Sequence, residues 1–364
     1  MEFAPQAHID HGALRHNLKR VRQAAPGCKV WAVIKADAYG HGMLRVAGSL
    51  AEADGLAVAR LDEALELRRH GFQQRILILS ACSTRAEFKA AAAAGLDTVI
   101  HHPHQLEELP EGEGLAAPLS VWLKVDTGMH RLGFDPRFVV EVSERLARNP
   151  VIGDLHLISH LACADDPSDP LTGAQCRAFF SLDPSPYRAR SLANSAGILG
   201  VPESHADWVR PGIMLYGASP LLDSRAEQVD LRPVMTLSSR VISVKQCRAG
   251  ETIGYGGTYR CPETMPVAVI AVGYGDGYPR HAPSGTPVRV RGRNLPLAGR
   301  VSMDMITVDA RALPDIRIGD PAVLWGEGLP VEQIAQHAGT IAYELLCGVT
   351  QRVTFIDCNT GEAR

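Results

Sequence analysis

No stretch of this 364-residue sequence stays apolar for the length of a membrane span, which takes about 20 residues. The opening MEFAPQAHIDHGALRHNLKR also lacks the apolar core of a signal peptide, so a cytoplasmic location is expected. An excess of one charge is missing too. With 37 basic against 40 acidic side chains and a formal charge of −3, the chain offers no field to draw nucleic acid or an anionic membrane. Eight cysteines (Cys28, Cys82, Cys163, Cys176, Cys247, Cys261, Cys347 and Cys358) lie far apart and form no Cys-x-x-Cys pair. That argues against a structural zinc site and a dense disulfide framework, so they are expected to be reduced, mostly buried thiols, and no metal is expected. There is no internal repeat, and the one low-complexity tract, Ala90–Ala94, reads as part of a helix. The composition is that of a globular enzyme, 46% hydrophobic and 21% charged, in a chain long enough for two domains with a core in each.

From about residue 29, short β-branched runs alternate with amphipathic stretches. Eight such runs precede residue 217: Val30–Ile34, Leu56–Ala59, Ile76–Leu79, Thr98–Ile100, Leu119–Val125, Asp154–Ser159, Ser191–Ala193 and Ile213–Tyr216. Eight strands alternating with helices predict an α/β fold, a parallel (β/α)8 TIM-like barrel. Between the strands, Ala64, Leu65 and Leu67 lie in a segment from Asp62 to Gly71, and Phe138, Val139, Val142 and Leu146 form one apolar face. A leading helix is expected behind Asp10 as N-cap, because Leu14, Leu18 and Val21 recur at helical spacing. Past residue 230 the rhythm becomes strands with Gly/Pro turns: Met235–Val244, Val267–Val272, Val288–Val290, Met305–Val308, Ala322–Trp325 and Val353–Ile356, with one short helix around Val331–His337. The predicted organisation is a barrel over 1–230 and a mostly β C-terminal domain over 231–364, joined near Gln228–Pro233.

In such a barrel the chemistry sits at the C-terminal ends of the strands. Lys35 ends the first run in VWAVIKADAYGHG and Lys124 the fifth in VWLKVDTGMHRLGF. His160 follows the sixth in HLISHLA, Asn194 and Ser195 follow the seventh in LANSAG, and Arg210 precedes the eighth in VRPGIMLYG. Taken singly, each has a plain explanation. Lys35 is a strand-end amine reaching solvent, Lys124 an amine paired with an acid, and Arg210 a loop charge. Tyr39 and Tyr343 read as amphipathic packing, Gly212 and GYGDG as turns, and Met303 as apolar packing. A lysine there becomes a Schiff-base nucleophile only where burial or a nearby cation lowers its pKa.

Residues 32–42 resemble the AVxKAxAYGHG motif of the alanine racemase family, and the resemblance runs over nearly the whole chain. It implies covalent attachment of pyridoxal 5'-phosphate to Lys35. Ser195, the backbone of Gly212 and Ile213, Tyr39 and Tyr343 would serve the phosphate, with Asn194 beside them. Arg210 would face the pyridine nitrogen, with His160 as its hydrogen-bond neighbour. In DTGMHRLGF the resemblance makes Arg131 a holder of the substrate carboxylate and Lys124 a lysine open to carbamylation, whose anion would fix that guanidinium. In the β domain it makes Tyr255 of TIGYGGTYR the second acid/base. Tyr274 of VGYGDGY and Met303 and Asp304 of SMDM would lie near the substrate, Met303 through its main chain. Asp37 stands where the family often has Asn, and His130 sits at a variable position; neither removes a named group.

The implied reaction interconverts L- and D-alanine, with Lys35 on one face of Cα and Tyr255 on the other, because removal by one group and return by another inverts the centre. In the family Tyr255 would reach into the partner's site, so a homodimer with composite active sites is expected. A broad-specificity or serine racemase remains open, since pocket size is a property of shape. A non-catalytic pyridoxal-phosphate carrier and a decarboxylase of similar architecture are opposed by residues 231–364 and by TIGYGGTY respectively.

Overall fold

A computed structural model of the chain describes residues 3–80, 82–110, 115 and 117–359. Its first strand, β1 (Gln6–Asp10), leads into helix His11–Ala24. Asp10 caps that helix as expected, its carboxylate accepting from Gly12 N at 2.8 Å and Ala13 N at 3.1 Å. Leu14, Leu18 and Val21 are buried on one side. The barrel follows: β2 (Lys29–Val33), β3 (Gly55–Val58), β4 (Arg75–Ile78), β5 (Asp97–Ile100), β6 (Leu119–Lys124), β7 (Ile152–Ile158), β8 (Arg190–Asn194) and β9 (Trp208–Arg210). Each pairs in parallel with the next and β9 closes on β2. Strands such as GLAV of β3 are buried throughout, the pattern of a sheet covered on both faces.

Seven barrel strands match the sequence reading to within about two residues at each end. The eighth is corrected. Ile213–Tyr216 is a 3-10 turn and the strand is Trp208–Arg210, so Arg210 ends it rather than preceding it. All four residues of IMLY are buried, and a short apolar run buried all round has no period to separate strand from helix. Phe138 is a second correction. It lies in a 3-10 turn before helix Val139–Arg148 and is 51% exposed, while Val139, Val142 and Leu146 go inward as expected.

Aromatic side chains fill the N-terminal half of the barrel. Trp31 stacks on Trp208 with centroids 4.3 Å apart, and Trp122 on His156 at 4.4 Å. Asp97, at the start of β5, accepts from Trp122 Nε1 at 2.9 Å and pairs with Arg75. Because this end is packed solid, open volume is left at the opposite, C-terminal end of the strands.

The second sheet is built on β10 (Met235–Cys247). The two-stranded β11 (Thr252–Ile253) and β12 (Tyr259–Arg260) stand apart, and β13 (Met265–Ile270), β14 (Pro287–Val290), β15 (Arg293–Pro296), β16 (Ile306–Asp309), β17 (Pro321–Trp325) and β18 (Thr354–Cys358) complete the sheet. β1 belongs here too, antiparallel to β10 and parallel to β18, so the first strand of the chain is stitched into the last domain. The expected helix is Val331–Ala338, and a second one, Ala342–Cys347, follows it. No helix among the described residues is long and apolar enough to cross a membrane.

A Cβ at Gly55 would lie 2.2 Å from the Trp31 ring inside the aromatic plug. Gly55→Ala is therefore expected to lower the urea unfolding free energy by about 1–3 kcal/mol; an unchanged midpoint would mean that Trp31 moves freely.

Candidate active site

Lys35 stands two residues beyond β2, at the start of an uncommon piece of backbone. Ala36, Asp37, Ala38 and Tyr39 all have φ between 50° and 54°, one turn of left-handed helix. The turn is tied at its front by Ala36 N donating to Glu63 Oε1 at 2.8 Å and further along by Met43 N donating to Asp37 Oδ1 at 2.6 Å. Glu63 also takes Ala59 N at 2.7 Å and Arg60 N at 3.0 Å, so one carboxylate caps a helix and anchors the turn.

Across the barrel mouth, Lys124 is the last residue of β6, and the DTGMHRLGF loop folds back on it. Asp126 Oδ1 accepts from the backbone of Gly128 at 3.0 Å, Met129 at 3.1 Å and His130 at 3.0 Å. Phe134 N donates to Lys124 O at 2.8 Å, closing the loop that carries Arg131.

Arg210 ends β9 and is only 5% exposed. Its Nη1 donates to Ser191 Oγ, and its Nη2 donates to the carbonyls of Ser159 and Leu192. Nη2 also lies 3.4 Å from His160 Nδ1. A guanidinium only donates, so Nδ1 accepts and His160 carries its proton on Nε2. Burial, reinforced by Arg210, Lys124, Arg131 and Lys35, holds the His160 pKa well below its ordinary value, and the ring is neutral. Burial also pulls Arg210 down, yet leaves it a cation at neutral pH.

These groups meet in one cavity of about 610 Å³, lined by Lys35, Tyr39, Lys124, Arg131, His160, Asn194, Ser195, Arg210, Gly212, Ile213 and Tyr343. Eleven residues singled out in the sequence thus face a single space. Cys347, Leu132, Ser80 and Ala36 join them without having been expected. Cys347 came in on the unforeseen helix Ala342–Cys347, so only recognition of that helix could have flagged it. A neighbouring cavity of about 680 Å³ shares His160, Asn194 and Tyr343 as a common wall but lacks Lys35.

The electrostatics follow from crowding cations in a desolvated mouth. Burial first, then Arg131, lowers the Lys35 pKa, with Glu63 opposing. Lys124 is pushed down to about 8 by burial, Arg210, Arg131 and Lys35. Asp126 opposes that lowering, and among the described residues no carboxylate lies within ion-pair distance of Lys124. Burial pushes Tyr343 up to about 12 and Tyr39 higher, so both remain hydroxyl donors.

At the far wall, Ser195 Oγ accepts from Gly212 N at 2.8 Å and Met214 N at 3.5 Å, leaving its own proton to donate. The Gly212 N–H thus meets Ser195 in this arrangement. Asn194 is likewise engaged, its Oδ1 accepting from Gly197 N at 2.9 Å and its Nδ2 donating to Leu161 O at 3.3 Å. A Cβ at Gly212 would lie 2.3 Å from the Tyr39 hydroxyl, so the glycine is what lets that hydroxyl reach this corner.

Tyr255, Tyr274, Met303 and Asp304 are not in this cavity. They lie on the β domain, with Tyr255 68%, Met303 51% and Tyr274 40% exposed. Tyr274 N donates to Ser302 O at 3.0 Å and Gly275 N to Met303 O at 2.9 Å, which joins two of these loops into one surface. Asp304 accepts from Arg352 Nη2 at 2.6 Å.

Residues 9–220 match the alanine racemase N-terminal domain and residues 234–356 the C-terminal domain. The chain belongs to the alanine racemase family. It is 52% identical to an alanine racemase of Nitrosococcus oceani over 96% of this chain and 98% of that one, and 51% identical to one of Halorhodospira halophila over 97% of each. Among solved structures, the biosynthetic alanine racemase of Pseudomonas aeruginosa superposes with a TM-score of 0.94 at 46% identity, covering 98% of this chain and 100% of that chain. The alanine racemase of Bartonella henselae, solved with covalently bound pyridoxal phosphate, gives a TM-score of 0.86 at 28% identity, covering 98% and 99%. The chain is an enzyme, an isomerase that interconverts L- and D-alanine, and the family's two-domain pattern accounts for both halves of the fold.

Arg131→Gln removes one of the cations beside Lys124. The Lys124 pKa is then expected to rise above about 8 toward its ordinary 10.5, as read by NMR of the methylated lysines in carbonate-free buffer. An unmoved titration would mean that Arg131 does not face this amine.

Proposed function

We propose that the barrel-mouth cavity holds pyridoxal 5'-phosphate and that alanine is racemised there between Lys35 of one subunit and Tyr255 of the partner subunit. The observation that carries this reading is the convergence of a desolvated, pKa-lowered lysine, a buried arginine and three hydroxyl donors on one space. The donor set suits the cofactor. Ser195, Tyr39 and Tyr343 offer O–H groups to a phosphate. Arg210, whose Nε has no partner among the described residues, offers an N–H to a ring nitrogen. When bound, pyridoxal phosphate supplies the electron sink that acidifies the α-proton of alanine.

The residues do the rest. Lys35, its amine pKa lowered by burial and Arg131, both attaches the cofactor and takes or returns a proton at Nζ on one face of Cα. Arg131 offers a cation to the substrate carboxylate, with the main chain of Met303 and the side chains of Tyr274 and Asp304 closing over it from the partner. Arg210 keeps its proton at neutral pH, so it donates a hydrogen bond without protonating what it faces. That limits charge delocalisation and disfavours return of the proton at the wrong carbon. The opposite face needs a second acid/base, and the exposure of Tyr255, Tyr274 and Met303, outside the cavity of their own chain, supports their acting in a second subunit's site. The working unit in this reading is a homodimer with two composite sites, completed by residues 231–364. Eight free cysteines accord with a reducing, cytoplasmic setting.

Lys35→Ala and Tyr255→Phe chains are each expected to be inactive. Mixed one to one they should regain about a quarter of wild-type activity, since half the dimers then hold one intact site. Deuterium should enter Cα of L-alanine in D₂O as the circular dichroism decays to zero. No complementation would rule out action across subunits, and racemisation by Tyr255→Phe alone would rule out its role as the second base.

We further propose that Lys124 is carbamylated. Its neutral amine adds to CO₂, forming an N–C bond and releasing one proton, and with a pKa of about 8 roughly a tenth of it is neutral at pH 7. The carbamate would turn one of the four basic groups at the mouth into an anion against Arg131. A carbamate resonance in ¹³C-bicarbonate NMR that disappears in Lys124→Ala is the expected result; its absence from the wild type would remove the modification.

A further inference from the structure

His41 of AYGHG has no part in the chemistry above, yet it is fully buried immediately behind the left-handed turn that carries Lys35. Left-handed helix costs an L-residue about 1–2 kcal/mol, so the run from Ala36 to Tyr39 needs support along its length. Glu63 and Asp37 hold the front and middle. At the rear, His41 N donates to Ala38 O at 3.1 Å. Its ring Nδ1 lies 3.0 Å from Ala38 O and 2.9 Å from Tyr39 O. Both neighbours are carbonyls, which only accept, so Nδ1 carries the proton.

The other nitrogen, Nε2, is buried without a partner among the described residues. A side chain present only to fill space would not carry an unpaired polar atom, which costs about 1–3 kcal/mol. Burial lowers the His41 pKa to about 4, with the two carbonyls opposing, so the ring is neutral. It packs on Tyr216 at 4.6 Å between centroids, and Tyr39 stacks on the same Tyr216 at 4.7 Å. Tyr216 in turn donates its hydroxyl to Val33 O at 2.9 Å, on the strand that delivers Lys35. The end of the turn is thereby connected back to its beginning.

We propose that His41 is a positioning residue whose Nδ1–H clamps the Ala38 and Tyr39 carbonyls and so aims Lys35 and the Tyr39 hydroxyl into the cavity. The consequence for the cofactor rests on the proposed reading of that cavity; the clamp itself does not.

Two variants separate donor from ring. His41→Phe keeps an aromatic ring against Tyr216 and loses the donor; His41→Asn keeps a donor near the place of Nδ1 and loses the ring. Apo-proteins are titrated with pyridoxal phosphate by absorbance, and melting temperatures and L-alanine kinetics are measured alongside. His41→Phe is expected to bind pyridoxal phosphate about tenfold more weakly or worse, with kcat reduced more than KM is changed, and His41→Asn to recover most of the loss. Equal affinity in His41→Phe and wild type, or no recovery in a folded His41→Asn, would overturn the proposal. Imidazole ¹⁵N shifts of wild-type His41 test the clamp without any variant or cofactor: a neutral Nδ1–H form is expected, and an Nε2–H form or an imidazolium at pH 7 would overturn it. A wild-type protein that shows the Nδ1–H form but takes up no pyridoxal phosphate would refute the reading of the cavity and leave the clamp standing.

Discussion

A single buried guanidinium organises the mouth of this barrel. Arg210 is cationic in a place where isolated charge costs several kcal/mol, and no carboxylate pairs with it among the described residues. It is stabilised by carbonyls, a serine hydroxyl and a neutral histidine drawn from β8 and from Ser159 and His160 just past β7, so one side chain on β9 ties the ends of three neighbouring strands together. Burial holds His160 neutral and lowers the two lysines that face the cavity, and the field of Arg210, with that of Arg131, adds to it.

The opposite wall is built by strain rather than charge. A left-handed turn puts Lys35 and Tyr39 at its two ends, and side-chain hydrogen bonds from Glu63, Asp37 and His41 make that backbone tolerable. A rigid scaffold of this sort fixes the Lys35 amine at one wall of the cavity. The aromatic plug below serves the same end by closing the lower barrel, so that the mouth is where a ligand can enter.

Much of this was legible in the residue order. Seven of the barrel strands, the Asp10 cap and six strands of the second domain could be read because their periodicity is local, while β11, β12 and β15, of two to four residues, were not. Lys35, Lys124, His160, Asn194, Ser195 and Arg210 could be listed because they stand at strand ends, which converge in a barrel, whereas Tyr39, Arg131, Gly212, Ile213 and Tyr343 were named only through the family resemblance. The misreadings share one cause. IMLY is buried all round, helix Ala342–Cys347 is too short for a clear period, and β1 is a strand only because β10 and β18 lie beside it. None of these signals is contained in a local window.

By itself, the sequence determined which side chains are available for chemistry and the order in which strands present them, since both depend on near neighbours along the chain. Only the tertiary structure decided what those side chains are. Lys124 became an amine with a pKa of about 8 because Arg210 and Arg131, distant in sequence, stand beside it in a desolvated mouth. The Gly212 N–H turned to Ser195, and Tyr255 remained on an open surface away from Lys35. Charge, desolvation and hydrogen-bond partnership act through space, and the fold sets the distances over which they act.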